Sequence, residues 1–113
     1  MHHTYMLTIE TIQREATAAA LTHGAQLAVL FGSYARGTAT PRSDVDLFFV
    51  EETTDPFLKR VDRYFDGLVD RLGVAVEILV YTPLEFERIR ERPFLKRALE
   101  EGVVLYESGT LSR

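Results

Sequence analysis

Apolar positions along this chain recur with two different periods. Over residues 8–23, Ile9, Ile12, Ala16, Ala19 and Ala20 fall at helical spacing, and Gly24 stands where such a helix would stop. Residues 26–31 are a short apolar run, which predicts a buried strand; 33–37 predicts a helical turn, followed by a polar stretch over 38–43. Residues 44–50 alternate, with Asp44, Asp46 and Phe48 on one side and Val45, Leu47 and Phe49 on the other, the period of a second strand. Asp55-Pro56 reads as a cap followed by proline at the first helical position. From there to residue 72, Phe57, Leu58, Val61, Phe65, Leu68, Val69 and Leu72 form one stripe against Lys59, Arg60, Asp62, Arg63, Asp66 and Asp70, an amphipathic helix that Gly73 ends. A third strand is expected over 74–81. Thr82-Pro83-Leu84-Glu85 is a capping box that starts another helix; this helix breaks before Pro93, resumes over 94–100 and stops at Gly102, ahead of an edge strand over 103–106. Strands separated by helices and long loops predict an α/β fold, a sheet covered by helices, in a single domain spanning 1–113. Periodicity does not set strand order or direction.

The chemistry gathers around the first two strands. Gly32-Ser33 follows the apolar run Leu27-Ala-Val-Leu-Phe31, and Asp44-Val45-Asp46 leads into Leu47-Phe-Phe-Val50. A glycine and a hydroxyl residue at the end of a buried strand let backbone N–H groups approach a phosphate, because glycine has no Cβ. Asp44 and Asp46, two apart on an extended chain, project from one face and can share a divalent ion. Two carboxylates and a phosphate suit Mg²⁺, which takes oxygen ligands and completes its shell with water and substrate phosphates. Arg36 and Arg42 flank the intervening loop, where each offers a planar fork of donors to phosphate oxygens or braces the loop by pairing with a carboxylate. Tyr34 either packs beside the bound ligand or fills the underside of the loop.

Composition narrows the alternatives. The 113 residues are 46% hydrophobic and 27% charged, an ordinary globular balance. There is no cysteine, so disulfides and thiolate zinc sites are excluded. His2, His3 and His23 have no metal-ligand spacing. The net charge of −4, with no basic stripe, argues against direct nucleic-acid binding and leaves a protein or small molecule as the expected acceptor. No apolar run approaches a membrane span and the start lacks the features of a signal peptide, so a cytoplasmic protein is expected.

Gly32-Ser33-Tyr34-Ala35-Arg36-Gly37, then 38–42, then Ser43-Asp44-Val45-Asp46-Leu47, resembles the nucleotidyltransferase signature of the DNA polymerase beta superfamily. More narrowly, the chain resembles the minimal nucleotidyltransferase (MNT) partner of HEPN/MNT toxin–antitoxin pairs. The resemblance implies a small mixed sheet with adjacent carboxylate strands. It also implies a third acidic position, commonly aspartate, matched here by Glu77 within Val74-Ala-Val-Glu-Ile-Leu-Val80. Two readings stand for Glu77: it completes the metal site with Asp44 and Asp46, or it faces solvent on a half-exposed strand.

By the same resemblance, Gly32, Ser33 and Arg36 bind the nucleotide, and Asp44, Asp46 and Glu77 serve as catalytic residues and as ligands of Mg²⁺, two ions in the family's arrangement. AMP would pass from ATP to a hydroxyl, typically a tyrosine, on a HEPN-domain toxin in a hetero-oligomer, releasing pyrophosphate. Two rivals share the fold. One is a catalytically degenerate antitoxin that neutralises its partner by binding, kept open by glutamate where the family has aspartate. The other is a nucleotidyltransferase acting on a small molecule. Phe86, Ile89, Phe94 and Leu95 either leave an apolar patch for docking or close the domain's own core.

Overall fold

The computed structural model describes residues 7–109. Helix α1 (Ile9–His23) begins at Thr8, whose hydroxyl accepts from the Thr11 N–H at 3.1 Å, and ends at Gly24 in the left-handed region. Strand β1 (Leu27–Phe31) runs directly into the one-turn helix α2 (Gly32–Arg36), and β2 (Val45–Val50) follows the polar loop. Two helical pieces, α3 (Phe57–Arg60) and α4 (Asp62–Leu72), lead to β3 (Val76–Tyr81). Then come α5 (Pro83–Ile89), opened by the expected capping box, α6 (Pro93–Glu101) and β4 (Val103–Glu107).

The four strands form one mixed sheet in the order β3-β2-β1-β4. β1 lies antiparallel to both β2 and β4, whereas β2 and β3 are parallel. Side chains alternate across the sheet and bury two faces. One face packs Ala28, Leu30, Val45, Leu47, Phe49, Ile78 and Val80 against Ile12, Ala16 and Ala20 of α1 and Tyr64, Leu68 and Leu72 of α4. The other packs Leu27, Val29, Phe48, Val50 and Tyr81 against Phe86, Leu95 and Ala98 of α5 and α6. Phe86 and Leu95 are therefore core, and the apolar patch over 86–95 reduces to Phe94, which stays 53% exposed.

The segment 56–72 departs from the single amphipathic helix that its spacing predicts. Pro56 sits at the N-cap without a side-chain bond, and the helix restarts at Asp62. Phe57, Leu58 and Phe65 are left exposed, while Tyr64 and Arg60 are buried. The cause is polar. Glu51, at the end of β2, is only 3% exposed and accepts hydrogen bonds from the Tyr64 hydroxyl and from Arg63. Burial and the adjacent Glu51 carboxylate push the Tyr64 phenol well above its usual range.

Arg60 is the second anchor. Its guanidinium donates to the Asp55 carbonyl (2.9 Å), the Val80 carbonyl (3.1 Å) and both Glu85 oxygens (2.7 and 3.2 Å), tying α3 to β3 and α5. This hydrogen bonding, with the Thr82 backbone also donating to Glu85, holds the Glu85 carboxyl below its usual range. A buried guanidinium satisfied by main-chain carbonyls cannot be traded for a smaller side chain without orphaning its acceptors. Arg60→Ala is expected to destabilise the fold by about 3 kcal/mol in urea denaturation, whereas a loss below about 0.5 kcal/mol, the scale of an ordinary surface change, would show that the anchor is dispensable.

Candidate active site

The sheet register puts Phe31, Asp46 and Glu77 side by side in one row: Phe31 pairs with Asp46 across β1 and β2, and Asp46 pairs with Glu77 across β2 and β3. The row lies where β1 ends and the other two strands begin. The next row on the same face, Val29, Phe48 and Leu79, is apolar and packs beneath α5 and α6, so the carboxylates mark the boundary between core and solvent. Asp44 precedes the first residue of β2 rather than lying within it.

A cavity of about 890 Å³ opens over this row, and all six residues singled out in the sequence line it: Gly32, Ser33, Arg36, Asp44, Asp46 and Glu77. Ser43 and residues of α6 complete the wall. Arg42 is exposed and lies outside that lining, and Tyr34 is buried against the sheet, filling the underside of the loop. Glu77 is exposed, so burial cost does not explain its place on the strand; it projects into the open cavity beside Asp46. His23 packs its ring 4.6 Å from that of Tyr64, while His2 and His3 lie outside the described residues.

Gly32 is required twice over. Its φ is +75°, a conformation that other residues rarely adopt, and a Cβ there would overlap Oδ2 of Asp46 and lie 3.0 Å from Cγ. The carboxylate thus packs directly on the backbone at the start of α2. That helix has five residues and contributes little as a dipole, but its first-turn N–H groups have no intrahelical acceptor, and Phe31 at the N-cap offers no side-chain oxygen. Gly32 and Ser33, which open this turn, line the same cavity as the three carboxylates.

Electrostatics single out Asp46. Desolvation first, then the charges of Glu77 and Asp44, raise its pKa from 3.8 to about 6, with Arg36 opposing. Among the described residues no group of three or more histidine, aspartate or glutamate side chains is arranged to hold a metal ion, so a closed cage is not preformed. Mg²⁺ does not demand one, because it is commonly bound by one or two carboxylates with water and substrate phosphates. Hard oxygen donors around an excess of negative charge are a donor set that fits a dication.

Sequence reasoning missed the contribution of α6. Phe94, Arg97, Ala98 and Glu101 all line the cavity, and the Phe94 ring stands edge-on to Phe31 at 5.5 Å. The helical spacing 94, 97, 98, 101 was available as a signal, but only topology shows that this stripe faces the end of β1 rather than solvent.

Two measurements test the site. The proton is held more tightly by folded than by unfolded Asp46, so the ionised group destabilises the metal-free fold fully above pH 6, and the penalty fades as pH falls toward 3.8. Asp46→Asn is therefore expected to raise the Tm at pH 8 and to lose that advantage near pH 4; a lowered Tm at pH 8 would contradict the assigned electrostatics. Gly37 provides a control for Gly32, since its φ is +76° with open space where a Cβ would go. Both alanine variants carry a backbone penalty of about 1–2 kcal/mol, and Gly32→Ala should exceed Gly37→Ala in denaturant melts, the excess reporting the Asp46 contact.

Comparison with known proteins agrees with this geometry. Two proteins of Methanocaldococcus jannaschii assigned as protein adenylyltransferases are similar to the chain. One is 35% identical over 85 residues, 69% of this chain and 75% of that protein; the other is 34% identical over 98 residues, 86% and 97%. A solved structure assigned as a minimal nucleotidyltransferase is 30% identical, with a TM-score of 0.62 over 86% of this chain and 95% of that one. A crystal structure of a toxin–antitoxin with AMP-PNP shares the fold, with a TM-score of 0.63 at 20% identity over 84% and 73%. The nucleotidyltransferase domain family matches residues 18–106, which include β1, β2, β3, α2, the carboxylate row and all but the last residue of β4, and the chain belongs to that family.

Proposed function

We propose that this nucleotidyltransferase moves AMP from ATP to a hydroxyl of a partner protein, and that the partner is a HEPN-domain toxin silenced by the modification. The observation that carries the reading is the single cavity in which the Gly32-Ser33 turn and Arg36 face Asp44, Asp46 and Glu77. The protein acceptor is supported by the assigned activity of the archaeal relatives, and the antitoxin role by likeness of fold to the toxin–antitoxin structure.

Backbone N–H groups at the start of α2, the Ser33 hydroxyl and Arg36 hold the β- and γ-phosphates. Asp44 and Asp46, with Glu77 beside them, would hold Mg²⁺. When bound, the ion neutralises charge on the triphosphate and on the entering and leaving oxygens. Glu77 faces the acceptor side and orients its hydroxyl. The acceptor oxygen forms a bond to the α-phosphorus, the bond from that phosphorus to the bridging oxygen of the β-phosphate breaks, and pyrophosphate leaves. The hydroxyl proton passes to Glu77 or to water. A tyrosine so modified gains a phosphodiester charge and the bulk of a nucleoside, enough to disrupt a partner's active region.

A second reading has an observation of its own: no three-ligand metal group is preformed among the described residues, and the third acidic position is glutamate. In that reading the chain neutralises its partner by contact alone.

Incubation with labelled ATP, Mg²⁺ and the product of the adjacent gene separates these. Label on the partner is expected; complex formation without label would favour neutralisation by contact, and label on a small molecule would redirect the acceptor. Asp44→Asn and Asp46→Asn should each abolish transfer while the fold persists, and intact activity in either would overturn the catalytic assignment. Glu77→Gln should suppress turnover more than ATP binding, whereas wild-type turnover would reduce Glu77 to a solvated strand carboxylate.

A further inference from the structure

The cavity over the carboxylate row has a second charged group in its lining. Helix α6 presents Phe94, Arg97, Ala98 and Glu101 to the cavity, the i, i+3, i+4, i+7 stripe of one helical face. Glu101 accepts from Nε of Arg97 at 3.1 Å and lies 3.8 Å from the Arg36 guanidinium of α2. One carboxylate is therefore shared by two arginines that come from different helices and line the same cavity.

Helix stability does not explain this arrangement. Glu101 is the last residue of α6, where the helix end is itself negative and an acid is disfavoured. The order, arginine four residues before glutamate, is also the less favourable one for a pair along a helix. Each of these ion pairs is solvent-accessible and so weakly held, which leaves the arginines easy to recruit. Arg97 bonds through Nε, so its two terminal nitrogens are not used in that contact.

We infer that Arg97 is a second triphosphate-reading arginine and that Glu101 is its exchangeable counter-ion, holding Arg97 and Arg36 on the α2–α6 side of the cavity until phosphate oxygens replace it. In the free protein Glu101 keeps the two cations from collapsing onto Asp44, Asp46 and Glu77. When the β- and γ-phosphates settle against the start of α2, the guanidinium forks exchange the single Glu101 carboxylate for several phosphate oxygens. They return to Glu101 as pyrophosphate leaves. This inference rests on the proposed nucleotide site and extends it to a helix outside the glycine-serine and aspartate motifs.

The test is isothermal titration calorimetry of the full chain with ATP and with AMP, both in MgCl₂. Arg97 is largely exposed, so its substitution leaves packing intact, and unchanged thermal melts check this. Arg97→Ala is expected to weaken ATP binding about tenfold, the scale of a lost hydrogen bond to a charged group, while leaving AMP binding unchanged. Arg97→Lys, which keeps the charge without the fork, should fall between. Glu101→Gln is expected to tighten ATP binding and leave AMP unaffected. ATP affinity unchanged in Arg97→Ala, equal losses for ATP and AMP, or weaker ATP binding in Glu101→Gln would each overturn the α6 assignment alone. A wild-type chain that binds neither nucleotide would overturn the nucleotide site together with it.

Discussion

Asp46 is confined between two demands that oppose each other. The sheet register sets it beside Glu77, and the absence of a side chain at Gly32 brings its carboxylate against the main chain at the start of α2. Partial desolvation first, and then the like charges of Glu77 and Asp44, disfavour the ionised form and raise the pKa of Asp46. Nothing in the core requires an acid there, since the next row on the same face is Val29, Phe48 and Leu79. A carboxylate whose ionised form is disfavoured and which faces a cavity is a candidate for chemistry, and the proposed function is built on it.

The rest of the molecule is arranged so that this row can be held in place. The parallel β2–β3 pair needs a crossover, and α3 and α4 supply it while covering one face of the sheet. Besides the core packing of Leu68 and Leu72, that crossover is held by two polar anchors, Glu51 with Tyr64 and Arg63, and Arg60 with Glu85 and the Val80 carbonyl. Both lie toward the opposite end of β2 and β3 from the carboxylates. The strands are thus pinned at the end away from the cavity, while at the charged end their own pairing keeps Phe31, Asp46 and Glu77 in one row.

Much of this was legible in the chain. The alternation over 44–50 placed Asp44 and Asp46 on one side, the Gly32-Ser33 turn stood out against its apolar strand, and the six candidate residues line one cavity. Element order was legible too, down to the break before Pro93. Strand order was not, because period-two patterning says which face is buried but not which strand lies next to which. The helical crossover misled for a related reason. Leu58 and Phe65 are apolar yet exposed, while Arg60 and Tyr64 are buried, because hydrogen-bond partners outside the helix, the buried Glu51 and the half-buried Glu85 among them, help decide which face turns inward. Glu77 was found through family resemblance rather than spacing, and its exposure to the cavity comes from the register with Asp46. The contribution of α6 needed three-dimensional contact with α2.

In the proposed function the carboxylate row shares a dication with a nucleotide's phosphates. Anomalous diffraction from crystals soaked with Mn²⁺ and a non-hydrolysable ATP analogue tests it most directly, Mn²⁺ standing in for Mg²⁺. The expected result is an anomalous peak between Asp44, Asp46 and phosphate oxygens, with the triphosphate against the start of α2. Nucleotide bound in the cavity with no peak at the two aspartates, or a peak only at unrelated surface acids, would contradict it.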